Sequence, residues 1–210
     1  MLAAKLPIFP LPNAVLFPGV SLPLHVFEHR YRALVADALR SDRMIGIVLL
    51  QPGWESHYEG RPAVYPIGCA GVITHAERLS DGRYNIVVNG LEKFRLTGED
   101  SHRPYRIAHT ETLVEATADQ DRPLVQLARA RLEALLTPLS EGLSAEIKIP
   151  AGMSDADLVN GLAQYLELEP LERQALLERE GLLARCRSLV ELLEMKALAA
   201  QGRWETGAVH

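Results

Sequence analysis

Apolar residues dominate the first part of the chain, from Leu6 to Glu28, and prolines interrupt this segment at positions 7, 10, 12, 18 and 23. An α-helix cannot run through it, because each proline removes a backbone donor and crowds the preceding turn. We predict two extended segments, Leu6–Leu11 and Ser21–Phe27, joined by a corner at Pro18-Gly19. Since proline in sheets is confined to edges, strand starts and bulges, both segments are expected at the rim of a sheet.

The pattern then changes to one helix followed by strands. Glu28–Arg40 places apolar residues on one face at helical spacing, with most charges opposite. Met44–Leu50 is a continuous apolar run, typical of a strand that is covered on both faces. Gln51–Pro62 is predicted to be a loop, and Ala63–Leu96 and Tyr105–Glu115 are predicted to form strands. Many strands with short turns and one helix predict a closed or nearly closed antiparallel barrel.

A hairpin signal lies inside this series of strands, at Asp81-Gly82. A type I′ turn needs positive φ at both central positions, which these residue types tolerate. The flanking strands are predicted at Cys69–Leu79 and Arg83–Asn89. Asn89-Gly90 is interpreted as either a second turn or a bulge, after which Leu91–Leu96 continues the sheet.

Leucine stripes at helical spacing fill the second half of the chain. Asp121 and Pro123 form an N-cap and a first-turn proline, and Ser154 with Asp157 forms a capping-box pattern. The apolar face of the helix that follows is assigned to Leu158, Leu162, Tyr165 and Leu166. We predict an α+β protein, with a barrel-like β domain at residues 1–116 and a helical bundle at residues 117–210 that packs against it.

Composition and charge narrow the classes of function. At 48% hydrophobic and 23% charged residues, the 210-residue chain is typical of a globular protein. Its net charge of −5 predicts neither a nucleic-acid partner nor binding to acidic lipid. It has no run of membrane-spanning length and no signal-peptide pattern, which favours a cytoplasmic protein. Cys69 and Cys186 form no C-x-x-C pair and are expected to be reduced, buried thiols.

One short motif suggests metal chemistry, since His25 to His29 match H-x-x-E-H, a zinc peptidase pattern. That chemistry needs both histidines on one helical face, whereas Pro23 favours a strand here. We expect no metal site, with His25 buried or partly buried and His29 exposed. The sequence contains no serine-hydrolase elbow, phosphate loop or dinucleotide-binding glycine motif, so no cofactor is expected.

Longer segments resemble a known family. LPIFPLPNAVLFPG followed by LPLHVFEHRYRALV is similar to the opening of the N-terminal substrate-binding domain of Lon proteases. IGCAGVITHAERLSDGRYNIVVNGLEKFRL resembles the central hairpin of that domain, and ERQALLEREGLLARCRSLVELLEMK resembles its C-terminal helical pair. The resemblance implies a PUA-like barrel and a helical bundle. Complete Lon proteases continue into an AAA+ ATPase module and a peptidase module with a serine-lysine dyad. Because this chain ends at His210, we expect neither ATP hydrolysis nor peptide cleavage.

The function that the resemblance implies is non-catalytic binding of protein or peptide segments, as an adaptor for unfolded or degradation-bound proteins. An exposed apolar groove or an unpaired sheet edge would accept them. The candidate contacts are Phe17 and Pro18 at the corner, and Trp54 and Tyr58 in the loop. Corner packing is the favoured alternative for the first two, and packing onto the barrel surface for the others. The second hypothesis is a PUA-like small-molecule or RNA-binding domain, and the third is an enzyme without a recognisable motif.

Overall fold

The computed structural model describes residues 4–58, 60–100, 102–115, 119–141, 150 and 152–206. The strands are β1 (Lys5–Leu11), β2 (Ser21–Val26), β3 (Met44–Leu49), β4 (Ile67–Arg78), β5 (Tyr84–Asp100) and β6 (Arg106–Leu113). The α-helices are α1 (His29–Leu39), α2 (Arg122–Glu141), α3 (Asp155–Tyr165), α4 (Pro170–Glu178) and α5 (Gly181–Thr206). Short 3₁₀ helices lie at Trp54–His57 and Asp119–Asp121.

Two compact units divide the chain. The first contains Met1–Val114 and Asn160–Glu178, and the second contains Glu115–Val159 and Arg179–His210. The predicted boundary between residues 116 and 117 lies outside the described residues. Prediction and structure differ at residues 160–178. The prediction places them in the helical domain, whereas in the structure they group with the strands.

The sheet of the first unit has the strand order β2-β5-β4-β3-β1-β6, and β5 also pairs with β6. The ring β5-β4-β3-β1-β6 therefore closes on itself, while β2 extends from the N-terminal part of β5. This confirms the α+β class and the predicted barrel. One detail of the prediction needs correction, because β1 and β3 pair in parallel and the sheet is mixed. β2 and α1 lie between them in sequence and provide the long crossover that a parallel pair requires.

A bulge, and not a turn, lies at Asn89-Gly90. Gly90 pairs with Gly71 and Glu92 pairs with Ala70, which leaves Leu91 as an extra residue on β5. The two strands predicted on either side of this point are consequently one strand of 17 residues.

The hairpin at Asp81-Gly82 is tight, as predicted, but it has a different turn type. Gly82 has a φ of 82° and donates its N–H to the Leu79 carbonyl oxygen over 2.9 Å, while Leu79 N–H bonds to the Arg83 carbonyl at 2.9 Å. Asp81 does not have positive φ. The connection is therefore a three-residue loop with a left-handed glycine at its last position, instead of a two-residue type I′ turn. Asp81 stabilises it by accepting hydrogen bonds from the N–H and the Nε of Arg83.

The strands bury two apolar clusters on opposite sides of β3. Ile45 and Ile47 belong to the larger cluster, which includes Leu34 and Val35 of α1, whereas Val48 belongs to the smaller one. Successive side chains of a strand point to opposite faces, so a strand that serves two cores must be apolar throughout. The continuous run in this segment was predicted to have this role, and the prediction is confirmed.

Residues 160–178 join the first unit through buried polar side chains. Asn160 Nδ2 donates to the Pro18 carbonyl at 3.0 Å, and Gln164 Oε1 accepts the N–H of Phe17 at 3.2 Å. Gln174 Nε2 donates to the carbonyl of Ile67 at 2.9 Å. Buried backbone groups need partners, and these helical amides supply them at the corner and at the first residue of β4.

The face that α3 buries differs from the predicted one. Leu158, Val159, Asn160, Ala163 and Gln164 are buried, whereas Tyr165 is 67% exposed. The prediction counted apolar positions alone, and the two buried amides shift the face away from it. The capping box is confirmed, because Ser154 Oγ accepts the N–H of Asp157 at 3.1 Å.

Helices α2 and α5 form most of the second unit. Their buried apolar side chains include Val125, Leu132, Leu136, Leu189 and Leu193. Arg129 connects α2 to the start of α3, with Nη1 at 2.8 Å from both Asp155 Oδ1 and the Met153 carbonyl oxygen. Arg185 of α5 is fully buried and pairs with Glu115, which compensates its charge.

Candidate functional site

The loop between β3 and β4 carries Trp54 and Tyr58, and it is attached to the N-terminus of α1. The two aromatic rings meet edge to face with centroids 5.3 Å apart. Tyr58 donates its hydroxyl hydrogen to the carboxylate of Glu28. Arg30 Nε contacts Glu28 Oε2 at 3.0 Å, and its Nη2 donates to the Tyr58 carbonyl at 3.2 Å. These four residues fix the direction in which the loop leaves the barrel.

The Arg30 guanidinium lies over two aromatic rings, 4.7 Å from the Tyr31 centroid and 4.9 Å from the Tyr58 centroid. Such cation–π contacts strengthen when they are partly desolvated. Burial raises the pKa of Tyr31 to about 12. Burial, followed by the hydrogen bond to Glu28, also raises the pKa of Tyr58. A phenol with its ordinary pKa of about 10 is already protonated at neutral pH, so Tyr58 can act as a donor.

The far end of the loop is held by other arginines. Arg106 Nη1 donates to the Pro62 carbonyl at 2.7 Å, and Nε of the same side chain contacts Glu99 at 2.7 Å. Arg61 donates to the Asp100 carbonyl at 3.3 Å. With both ends anchored, the loop encloses an open cavity of about 670 Å³. Its lining combines Trp54, Tyr58 and two prolines with polar groups, and its volume is in the usual range of ligand sites.

The corner at Phe17-Pro18 has a structural role. The Phe17 side chain has an exposure of 0%, so it cannot contact a ligand at the surface, and we remove it from the candidate contacts. Pro18 is half-buried, and its carbonyl is bonded to Asn160. Gly19 turns the chain with a φ of 76° and donates its N–H to the Gly90 carbonyl at 2.9 Å. The Phe17 ring is therefore packed inside the protein, which is the alternative that the sequence favoured for this corner.

The free edge of β2 is poorly suited to pair with another strand. Pro23 lies within β2 and has no N–H to donate. At its start, the Ser21 carbonyl already accepts the hydroxyl of Tyr165 at 2.8 Å. Proline and side-chain cover are common ways in which proteins protect an edge. Of the two binding modes considered above, the cavity is therefore the better supported.

The H-x-x-E-H match does not have the geometry of a zinc peptidase. His25 lies in β2 and His29 begins α1, so a shared helical face does not exist. Contrary to the prediction, His25 is exposed. Its Nε2 lies 3.2 Å from Arg83 Nη1 and its Nδ1 lies 2.7 Å from Asn85 Oδ1. Arginine can only donate, so Nε2 accepts and Nδ1 carries the hydrogen.

Among the described residues, His, Cys, Asp and Glu side chains form no group of three or more that could hold a metal ion. Among the helices that the structure describes, none combines the length and apolar character needed to cross a membrane. Cys69 and Cys186 are buried and do not form a disulfide, as predicted.

Sequence reasoning found Trp54 and Tyr58 but missed the residues that position them. Glu28 drew attention only as a member of the zinc pattern, and Arg30 was interpreted as part of a charged helix face. A usable signal was the Arg30-Tyr31 pair, which begins two residues after Glu28 and places a cation, a ring and a carboxylate at one helix start. Their partner, Tyr58, is 30 positions away from Glu28, and no local pattern encodes that distance.

Comparisons with known proteins identify related chains. Residues 5–195 match the family described as the ATP-dependent protease La (LON) substrate-binding domain. Lon protease 2 of Myxococcus xanthus is 32% identical over 91% of this chain and 24% of its own length. The Lon protease of Anaeromyxobacter dehalogenans is 30% identical over 92% of this chain and 23% of its own. The chain thus spans about a quarter of the length of these curated relatives.

Solved structures agree on the fold. A Lon N-terminal domain protein from Xanthomonas campestris has a TM-score of 0.61 at 22% identity, and covers 90% of this chain and 98% of its own. The N-terminal domain of the Lon protease from the Mycobacterium avium complex has a TM-score of 0.66 at 18% identity, with the same coverage of 90% and 98%.

Proposed function

We propose, from the premise that this chain belongs to the family of Lon substrate-binding domains, that it binds extended apolar segments of unfolded or degradation-bound proteins and acts as an adaptor. The binding site proposed is the cavity lined by Trp54 and Tyr58. The observation that carries the proposal is the anchoring of this aromatic cavity by Glu28 and Arg30. The proposed setting is the cytoplasm, where free cysteines are usual.

The lining of the cavity suits an extended polypeptide better than a compact ligand. Its openness to solvent allows a chain to pass across it, and Gly53 and Gly60 leave backbone groups without large side chains above them. Aromatic side chains supply large contact areas at a low cost in conformational entropy. An unfolded segment presents both apolar side chains and unpaired backbone groups, and this lining offers contacts to each.

Anchoring of the loop favours binding because the cavity exists before the ligand arrives. A loop that must be ordered on association reduces the affinity by the free energy of ordering it. Here Tyr58 is held by Glu28 and Arg30, so Trp54 has a fixed neighbour to pack against. We assign Trp54 the role of direct contact and Tyr58 the role of a positioning residue with a ring that also lines the cavity.

The test is fluorescence anisotropy of a labelled, permanently unfolded peptide that is titrated with the full chain. We expect a dissociation constant in the micromolar range, which corresponds to about −8 kcal/mol at 1 μM. Trp54→Ala should weaken binding at least tenfold, because buried aromatic contacts dominate such interfaces. Tyr58→Phe keeps the ring and loses only the bond to Glu28, so its loss should be smaller. The affinity should change little with salt, since the contacts are apolar.

Phe27→Ala is the matched control, because Phe27 is an aromatic residue that is 59% exposed and lies outside the loop. It should bind like the wild type. Absence of wild-type binding at high micromolar concentration would refute the polypeptide-binding function. Binding that survives Trp54→Ala and is lost in Phe27→Ala would keep the function and move the site to the surface around Phe27, just after β2.

We further propose that the chain acts by binding alone, without chemistry of its own. The matched family is a substrate-binding domain, and nucleotide and peptidase motifs do not occur in the sequence. Purified protein should neither hydrolyse ATP nor cleave casein. ATP turnover that a single substitution in this chain abolishes would contradict the proposal, whereas turnover that is unchanged by every such substitution would point to a contaminant.

A further inference from the structure

The second unit has an exposed apolar groove between α2 and α5. Leu124 and Leu127 of α2 are 40% and 70% exposed, and Val190 of α5 forms the floor opposite them. The groove has a volume of about 290 Å³ and is bordered by Arg131, Arg187, Glu191 and Glu194. Exposed leucines surrounded by charged residues are typical of a surface that contacts another protein.

The two helices of this groove run in the same direction. Arg131 and Glu194 form an ion pair and are 63 positions apart in sequence. The same offset relates Leu124 to Arg187 and Leu127 to Val190, which line the same groove. A constant offset means that both helices advance together, so each level of α5 has a defined neighbour on α2.

The charges at the border are not all paired. Arg131 Nη2 lies 2.5 Å from Glu194 Oε1, which neutralises both. Within the described residues, Arg187 and Glu191 take part in no ion pair. They lie one turn apart on the same helix, about 6 Å along its axis. As far as the described part of the chain shows, the groove therefore presents one positive and one negative charge outside any ion pair beside its leucines.

We infer that this groove binds the same groove of a second copy of the chain, in an antiparallel arrangement about a two-fold axis. An antiparallel copy brings Arg187 of one chain to Glu191 of the other, and the symmetry repeats the pair. The border has no net charge, so it selects neither a basic nor an acidic partner. A surface that carries both signs at this spacing is complementary to itself, as a two-fold interface requires.

The position of the axis follows from the charges. It passes midway between Arg187 and Glu191, at the level of residue 189. Since positions at the same level of α2 and α5 are 63 residues apart, Leu127 of α2 lies within one residue of this level. Leu127 then packs against its own counterpart, which accounts for a large exposed leucine in the middle of the groove. Each charge lies about 3 Å from the axis along the helix, so the two opposite pairs form when the copies are close to antiparallel.

Sedimentation velocity of the full chain over a range of concentrations tests this inference. We expect a concentration-dependent shift from the 23.2 kDa monomer to twice that mass. Arg187→Glu and Glu191→Arg each turn two attractive pairs into two repulsive ones and should raise the dimer dissociation constant at least tenfold. The double variant Arg187→Glu/Glu191→Arg exchanges the charges, makes the surface self-complementary again and should restore dimerisation.

Leu127→Asp should give a monomer, and Leu171→Asp, which alters a 49% exposed leucine in α4 of the first unit, should not. Circular dichroism of each variant separates loss of the dimer from loss of the fold. If the wild type stays monomeric at high micromolar concentration, the inference is overturned. This holds also if the groove then binds a different protein. A double variant that dimerises no better than the single ones overturns the antiparallel arrangement.

Discussion

Gly90 offers the sharpest test of how the Phe17-Pro18 corner is held against the sheet. Its N–H donates to the Val20 carbonyl at 2.8 Å, and its carbonyl accepts the N–H of Gly19 at 2.9 Å. A Cβ atom at this position would lie 2.1 Å from the Phe17 carbonyl oxygen and 2.9 Å from its carbonyl carbon. Both are backbone atoms, so no side-chain rotation relieves the overlap. Gly90→Ala must move the corner away from β5.

The magnitude follows from two contributions. Forcing an extra methyl group into a packed site costs about 1–3 kcal/mol. Moving the corner also weakens the two backbone hydrogen bonds of Gly90, each of which contributes about 0.5–1.5 kcal/mol. We expect Gly90→Ala to lower the free energy of unfolding by about 3 kcal/mol, a large fraction of the roughly 5–15 kcal/mol of a typical protein. The midpoint of thermal unfolding should fall by roughly 6–12 °C for a chain of this length.

Urea denaturation followed by far-UV circular dichroism measures the effect. Gly98→Ala is the matched control, since Gly98 lies in the same strand and a Cβ atom there would be 3.9 Å from the His109 ring, an ordinary contact. Its stability should stay within about 0.5 kcal/mol of the wild type. Equal stability of Gly90→Ala and Gly98→Ala would refute the close approach of the corner to β5.

Two further predictions concern the hairpin and the thiols. Gly82→Val should destabilise the protein by roughly 1 kcal/mol or more, because Gly82 has a φ of 82°. Gly82→Asn should destabilise it less, since asparagine tolerates positive φ better. Equal urea midpoints for the two variants would contradict this reasoning. Burial raises the pKa of Cys186 to about 11, so about one molecule in a thousand carries that thiolate at pH 8. Mass spectrometry should find no iodoacetamide adduct on Cys69 or Cys186 in the folded chain and adducts on both after unfolding, and rapid labelling of either in the folded state would disprove their burial.

Local patterns were sufficient for most elements of this fold. The prolines of the first segment forbid a helix, and β1 and β2 lie where the extended segments were predicted. Helix α1 agrees with the predicted segment to within one residue at each end. The pairing of β1 with β3 was not predictable in the same way, because it depends on residues that are 38 positions apart, such as Ile8 and Gly46.

The buried face of α3 shows where periodicity is insufficient. Counting leucines and tyrosine gave a face that includes Tyr165, which is exposed, and it left out Asn160 and Gln164, which are buried. Amide side chains are mostly exposed in proteins, so their burial is unexpected from residue type. They are buried here because backbone groups at Phe17 and Pro18 need partners that the sheet does not provide.

The candidate site was predictable to a similar degree. Large aromatic residues in a loop with turn residues at both ends identified Trp54 and Tyr58, and both line the cavity. The hydrogen bonds that anchor the loop come from Glu28 and Arg30 at the start of α1. Their contribution depends on the closure of the barrel, which brings the start of α1 to the loop after β3, and no sequence window contains both.

The outcome at Phe17 has a physical reason that extends to the rest of the corner. Apolar character made Phe17 and Pro18 candidates for binding, yet burial of a phenylalanine stabilises the fold as readily as it would stabilise a complex. The hydrogen bonds of the backbone distinguish a residue that is buried in the fold from one that is available to a ligand. The N–H of Phe17 and the carbonyl of Pro18 are bonded to side chains 147 and 142 positions later in the chain. A corner whose polar atoms are satisfied internally has nothing left to offer a ligand, whereas the loop with Trp54 keeps an open cavity beside anchored backbone.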